Sequence, residues 1–207
     1  MMTPRVRILS LALVAALLLG VQPLSAQSRF GIGLEWGFGY HPACWHALSY
    51  NTGDGYRIDI EGWKGMQHVN GFATLSLEYD LARRHCLSLT GSKRGVGNGD
   101  RIYPLQLRWS WYSNGHSDDS PFWYVEDGVG YNRDARVRLA LTGGIGAGYR
   151  YRLGNHSFVD MAARVSYARY KPDLYDPDTE KRVSVDYIHR NTRLDTFLEL
   201  QIAIRFR

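Results

Sequence analysis

The sequence predicts an all-β chain closed into an eight-stranded antiparallel barrel that turns its apolar face outward, into a membrane. Three observations carry this. In the stretch Phe30 to Tyr40, Phe30, Ile32, Leu34, Trp36, Phe38 and Tyr40 share one parity, while Gly31, Gly33, Glu35, Gly37 and Gly39 share the other. A strand sends alternate residues to opposite faces. One face is therefore large and apolar, and the other is nearly bare with a single carboxylate. That suits lipid outside and a narrow lumen inside. Second, the same alternation recurs along the chain with no helical period above it. Third, several alternating segments reach the roughly 9 to 11 residues a tilted strand needs to cross a bilayer.

The N-terminus fits an exported protein. Arg5 and Arg7 precede an uncharged apolar run from Ile8 to Leu19, and Ala26 offers a small residue for cleavage. Residues 1–26 read as a signal peptide and 27–207 as the barrel domain. The apolar run is short of the roughly 20 residues of a spanning helix. No cysteine stands directly after it, which argues against a lipid anchor. The formal net charge is +5 and includes Arg5 and Arg7, so the remainder is too weakly basic to imply nucleic acid. No later segment is long and apolar enough for a transmembrane helix.

The strands follow in order. After the opening strand, 30–40, comes an irregular stretch with Pro42 and the turn sequence Asn51-Thr52-Gly53-Asp54-Gly55. Segment 71–81 sets Leu75, Leu77 and Tyr79 against Thr74, Ser76 and Glu78. Segment 85–93 follows the tight turn Ala82-Arg83-Arg84. Segment 101–112 places Tyr103, Leu105, Leu107, Trp109 and Trp111 outward and Gln106, Arg108 and Ser110 inward. Segments 122–131 and 137–153 alternate with glycine on the inner parity, and Gly154-Asn155 turns the chain into 157–170. A long polar connection, 171–193, precedes the last strand, 194–207. Eight strands put short turns at one end with both termini and longer loops at the other, matching periplasmic and extracellular sides. Tyr56 to Trp63 is then an arm standing above the membrane in the first loop. A rival count adds 56–63 and 183–188 to make ten strands, but it sends the tight turns outside.

The order of motifs resembles the Bacteroidetes-type family of small outer-membrane β-barrels. The likeness rests on the glycine-alternating first strand, on Ile102-Tyr103-Pro104-Leu105, on Ser120-Pro121-Phe122-Trp123 running to Gly128-Val129-Gly130-Tyr131, and on Gly144-Ile145-Gly146-Ala147-Gly148-Tyr149-Arg150. The resemblance implies a location in the outer membrane of a Gram-negative bacterium and a barrel fold. It implies no activity. Its partners would be outer-membrane lipid and lipopolysaccharide, the outer-membrane assembly machinery, and an extracellular ligand of unknown identity, with no nucleic acid and no cofactor. Phe206 is penultimate rather than last, and Arg207 reads as an extension beyond it.

By parity, Glu35, Glu78, Asp80, Glu126, Asp160 and Glu199 face inward, as do Arg108, Arg138, Arg150, Arg152, Arg164 and Arg205. An eight-stranded barrel has room for side chains and none for a channel. Buried charges must pair, so this set reads as an ion-pair core. An enzymatic alternative centres on Ser113-Asn114-Gly115-His116, which resembles the His-x-Ser-Asn segment of the outer-membrane lipid A deacylases. Ser113 would be the nucleophile, His116 the base and Glu126 its orienting acid. The position two before Ser113 is Trp111 and not His, so the serine lacks its adjacent base. His41, Cys44 and His46, with His68, fall short of an ordered metal donor set. A third alternative is a soluble lipocalin-like barrel, which would turn the apolar parity inward. Surface binding is expected at loops 41–70 and 171–193. Cys44 and Cys86 fall at opposite ends of the barrel, too far apart for a disulfide.

Overall fold

The computed structural model describes residues 29–96, 100–132, 137–176 and 181–207. The expected signal peptide, 1–26, lies outside the described residues. Eight antiparallel strands form a closed barrel in chain order: β1 (Phe30–Asn51), β2 (Arg57–Ala82), β3 (His85–Val96), β4 (Asp100–Tyr112), β5 (Ser120–Asn132), β6 (Val137–Arg152), β7 (Ser157–Lys171) and β8 (Ile188–Phe206). The ten-strand count fails. Residues 57–63 belong to β2, and Val185–Tyr187 form a single 3-10 turn. β1 closes the ring by pairing with both β2 and β8, so Trp36 lies between Ala73 and Ile202.

The apolar parity faces outward throughout. Leu107 is 53% exposed, Leu139 65% and Leu200 69%. On the inner parity Glu35 is fully buried and Arg108 is 1% exposed. That polarity is the inverse of a lipocalin-like barrel, which fills its interior with apolar side chains. Glycine on the inner parity lets the wall sit close to the packed lumen. A Cβ on Gly146 would stand 2.4 Å from the ring of Tyr124.

One expectation needs correction. The first loop, 41–70, does not open with an irregular stretch. β1 runs on to Asn51 and β2 begins at Arg57, so the connection shrinks to a turn in which Gly55 takes a positive φ of 85°. The upper parts of β2, β1 and β8 form a three-stranded sheet rising beyond the ring. Pro42 marks the passage. It has no N–H for the ladder, and the register shifts between His41 and Ala43 on the β2 side and between Tyr40 and Ala43 on the β8 side. The bulge resets the parity, which hides the continuation in the sequence. The long connection before β8 folds back onto this sheet. Leu174 and Val183 pack against Tyr50, with Leu48, Ile58 and Ile188 around them. Asp176 accepts a hydrogen bond from the Gly53 backbone at 3.2 Å.

Candidate functional site

The lumen holds an ordered charge stack. At the end where β1 begins and β8 finishes, Arg207 turns inward and reaches Glu78 (3.2 Å), Asp80 (3.1 Å) and the ring of His116. Arg205, one turn of the pleat further in, contacts Glu78, Asp160 and Glu35. Arg108 donates to both oxygens of Glu35 and, through Nε, to Glu126 at 2.8 Å. Arg164 joins Glu126 to Glu199. Arg94 ends the series with Glu199 at 3.3 Å and Ser166 at 2.9 Å. Arg150 stands to one side, held by both oxygens of Asp160. Six carboxylates (Glu35, Glu78, Asp80, Glu126, Asp160, Glu199) thus meet six guanidiniums (Arg94, Arg108, Arg150, Arg164, Arg205, Arg207). Aromatic rings fill the remaining space. The Arg108 guanidinium lies 4.4 Å from the ring centre of Tyr124, and that of Arg150 lies 4.4 Å from Tyr112.

Above Arg94 an apolar layer crosses the lumen: Val96, Ile102, Ala140, Ala168, Tyr170 and Phe197. Beyond it, Asp195 accepts from Arg193 (2.7 Å) and Tyr170 (2.9 Å) and lies 3.4 Å from His41.

Ten of the twelve residues expected in the lumen are buried there: Glu35, Glu78, Asp80, Arg108, Glu126, Arg150, Asp160, Arg164, Glu199 and Arg205. Arg152 is not among them. It sits at the mouth where β6 ends, exposed, and bonds the Gly154 carbonyl and Asn155 instead. The side chain of Arg138 lies outside the described residues. Alternation alone does not reveal Arg94, one residue past the segment 85–93, or Asp195, at the start of the segment 194–207 and well inside β8. Arg207 is a lumenal group and not an extension beyond the last strand. The alternation Ser88, Thr90, Ser92, Arg94 carried the signal for the first.

The candidate catalytic residues do not converge. Ser113 begins a turn in which its backbone N–H donates to the Pro121 carbonyl at 3.0 Å. The His116 ring is engaged by Ser117 at 3.0 Å and by Arg207. Glu126 lies six residues up β5 from Ser120, roughly 20 Å along the strand, and is held by Arg108 and Arg164. Burial, with Arg207 and Arg150 nearby, pushes the His116 pKa down to about 3, so its Nδ1 accepts from the Arg207 guanidinium. Asp80 at 3.5 Å does not offset this. His116 is a neutral acceptor in a plug, and the hydroxyl on its ring is that of Ser117, not Ser113. Among the described residues no cluster of His, Cys, Asp and Glu could hold a metal. His41 is buried, His46 contacts the Cys44 thiol at 2.9 Å, and His68 is exposed.

No family model matches this chain, and no curated protein matches it. Among solved structures it is similar to the outer membrane protein OprG of Pseudomonas aeruginosa, at 13% identity and a TM-score of 0.52, covering 89% of this chain and 98% of that one. It also aligns with Neisserial surface protein A at 13% identity and a TM-score of 0.47, covering 86% and 97%. The outer membrane protein AlkL in lipid bilayers aligns at 12% identity and 0.46, covering 89% and 94%. The OprG likeness shows the fold alone, an eight-stranded barrel of outer-membrane type. The other two scores are too low to add an argument.

Among the described residues the lumenal charges balance. Each carboxylate that a base would need is held by an arginine, and each guanidinium is bonded or stacked.

Proposed function

We propose that this chain is an integral outer-membrane barrel of a Gram-negative bacterium, exported with removal of residues 1–26, whose work is structural or surface-binding and not enzymatic. The motif order that resembles the Bacteroidetes-type barrels supports the same reading. One observation carries it: a continuous apolar wall faces outward around a core of paired charges. In water such a surface would far exceed the few hundred Å² that monomers expose. In lipid it is the expected solvent contact.

The binding surface of this proposal is the raised sheet and the connection folded on it, replacing the two loops expected from sequence. Tyr56, Trp63, Tyr175 and Tyr187 are all more than half exposed there. Such amphipathic rings give contact area at low entropy cost. The proposed partners remain lipid, lipopolysaccharide and an external ligand, and delivery through the assembly machinery.

Fractionation tests the location. The protein should stay with outer membranes through alkaline and urea washes and leave only with detergent. Recovery in the wash would overturn the barrel reading. Lipid A mass spectrometry tests the activity. Acyl-chain number should be the same with and without the protein, and a loss that depends on Ser113 would establish the deacylase alternative.

A further inference from the structure

On the outer wall, toward the end away from the start of β1 and the finish of β8, a shallow groove of about 560 Å³ runs between Trp36 and Phe38 on one side and Lys93 and Arg101 on the other. Its floor lacks bulk. Trp36 pairs with Ala73, which pairs with Lys93, and Phe38 pairs with Gly71. A Cβ added at Gly71 would meet only one backbone oxygen, at 3.9 Å. Gly95, beside Arg101 in the ladder, has no side chain of its own, and Asn70 covers it, its Oδ1 3.0 Å from where a Cβ would stand.

The two cations are out of place for a lipid-facing wall. Lys93 follows Leu87, Leu89 and Gly91 on the outward parity of β3, and Arg101 precedes Tyr103, Leu105 and Leu107 on that of β4. Among the described residues, no carboxylate lies within ion-pair distance of either, and no acid lines the groove. Gly95 pairs with Arg101, so Lys93 is its diagonal neighbour. Such positions hold their Cβ atoms roughly 7 to 8 Å apart, close enough for both side chains to grip one phosphate. Arg101 stands eight residues from Trp109 on its own strand, roughly 20 Å higher after tilt. In a bilayer that height is the headgroup level of the outer leaflet.

We propose that this groove is a lipid A site: an acyl chain lies over Gly71 and Ala73 against Trp36 and Phe38, and a lipid A phosphate is held by Lys93 and Arg101. The site rests on the outer-membrane reading and deepens it. Its anionic headgroup could also belong to a phospholipid. The outer location favours lipid A, whose phosphates are dense at that surface and whose several chains match a wall with apolar floor beneath paired cations.

The test uses the full mature chain, folded in neutral detergent, with folding scored by the gel shift between unheated and boiled samples. A chain that shows no such shift and does not enter lipid vesicles would fail the barrel reading before any ligand is added. For a folded chain, native mass spectrometry measures binding of bis-phosphorylated lipid A, dephosphorylated lipid A and phosphatidylglycerol. Lys93→Gln with Arg101→Gln should weaken bis-phosphorylated lipid A about 25-fold, about fivefold per cation. Lys171→Gln, an exposed cation on another strand, should leave it unchanged. Lys93→Arg with Arg101→Lys should restore it. Equal binding by the double glutamine variant, or equal binding of dephosphorylated lipid A, would overturn the site. Phosphatidylglycerol binding as tightly as lipid A would overturn the assignment of its occupant.

Discussion

Tyr167 donates its hydroxyl to Asp127 at 3.1 Å, across the bare backbone of Gly143. The three stand in one cross-strand row, with Asp127 opposite Gly143 and Gly143 opposite Tyr167. All lie on the outer parity, and Asp127 is four residues from both Trp123 and Tyr131. A carboxylate there faces the middle of the apolar band, where charge is costly. The tyrosine supplies a donor that lipid cannot.

Tyr167→Phe should therefore lower stability by about 1 to 2 kcal/mol, since it strands an acceptor in an apolar setting. Gly143→Ala should do at least as much, because its new Cβ would stand 2.8 Å from the Tyr167 ring and 2.9 Å from Asp127. Urea unfolding midpoints in lipid vesicles would measure both. Asp127→Asn with Tyr167→Phe should cost less than Tyr167→Phe alone.

Glu35→Gln should be among the most damaging single changes. Its carboxylate serves Arg108 through both oxygens and also Arg205. Removing the charge leaves two buried guanidiniums short of a partner, a loss of about 3 to 5 kcal/mol. Replacing both Arg108 and Glu35 by apolar residues of similar volume should cost less than either change alone. Vesicle unfolding curves of the three variants would decide it.

His116 should give the protein an acid-sensitive component of stability. Its pKa is held at about 3 by burial and by Arg207 and Arg150, against about 6.5 when unfolded. A lowered histidine pKa means the folded state binds the proton less well. The contribution is complete above pH 6.5 and falls away as the pH drops toward 3. The His116→Gln variant should lose less stability than the parent over that interval. Thermal unfolding in detergent from pH 7 to pH 4 would show the two curves converging. Parallel curves would mean that His116 does not titrate on unfolding.

Both cysteines are free in the structure and buried, Cys44 in the raised sheet and Cys86 in the lumen near Tyr112 and Phe122. A non-reducing peptide map should return two thiols, each slow to react with maleimide until the chain is unfolded. A linked Cys44–Cys86 peptide would contradict the barrel register.

Much of the fold is legible because parity is a strong local signal. The greasy and bare faces of Phe30 to Tyr40 fix one strand, and Leu194 to Phe206 fix the seam that closes on it. What parity cannot give is height. Glu35 and Arg108 are both inward by alternation, but their meeting depends on strand stagger, which no short segment encodes. Pro42 hides the second half of β1 by resetting the alternation. Arg94 and Arg207 escape notice at strand ends, where a pattern has too few repeats to be read. Asp127 breaks its own strand's alternation, and its partner is 40 positions away.

The charge stack couples strands that the backbone ladder does not. Arg108 on β4 reaches Glu35 on β1, Arg164 on β7 reaches Glu126 on β5, and Arg94 on β3 reaches Glu199 on β8. A half-closed sheet can satisfy its hairpins, but it leaves these groups charged and without counterparts as the wall enters lipid. Partly assembled forms are therefore raised in energy relative to both ends of the reaction. Insertion should proceed as one concerted event, with no stable open intermediate to aggregate or to leak ions.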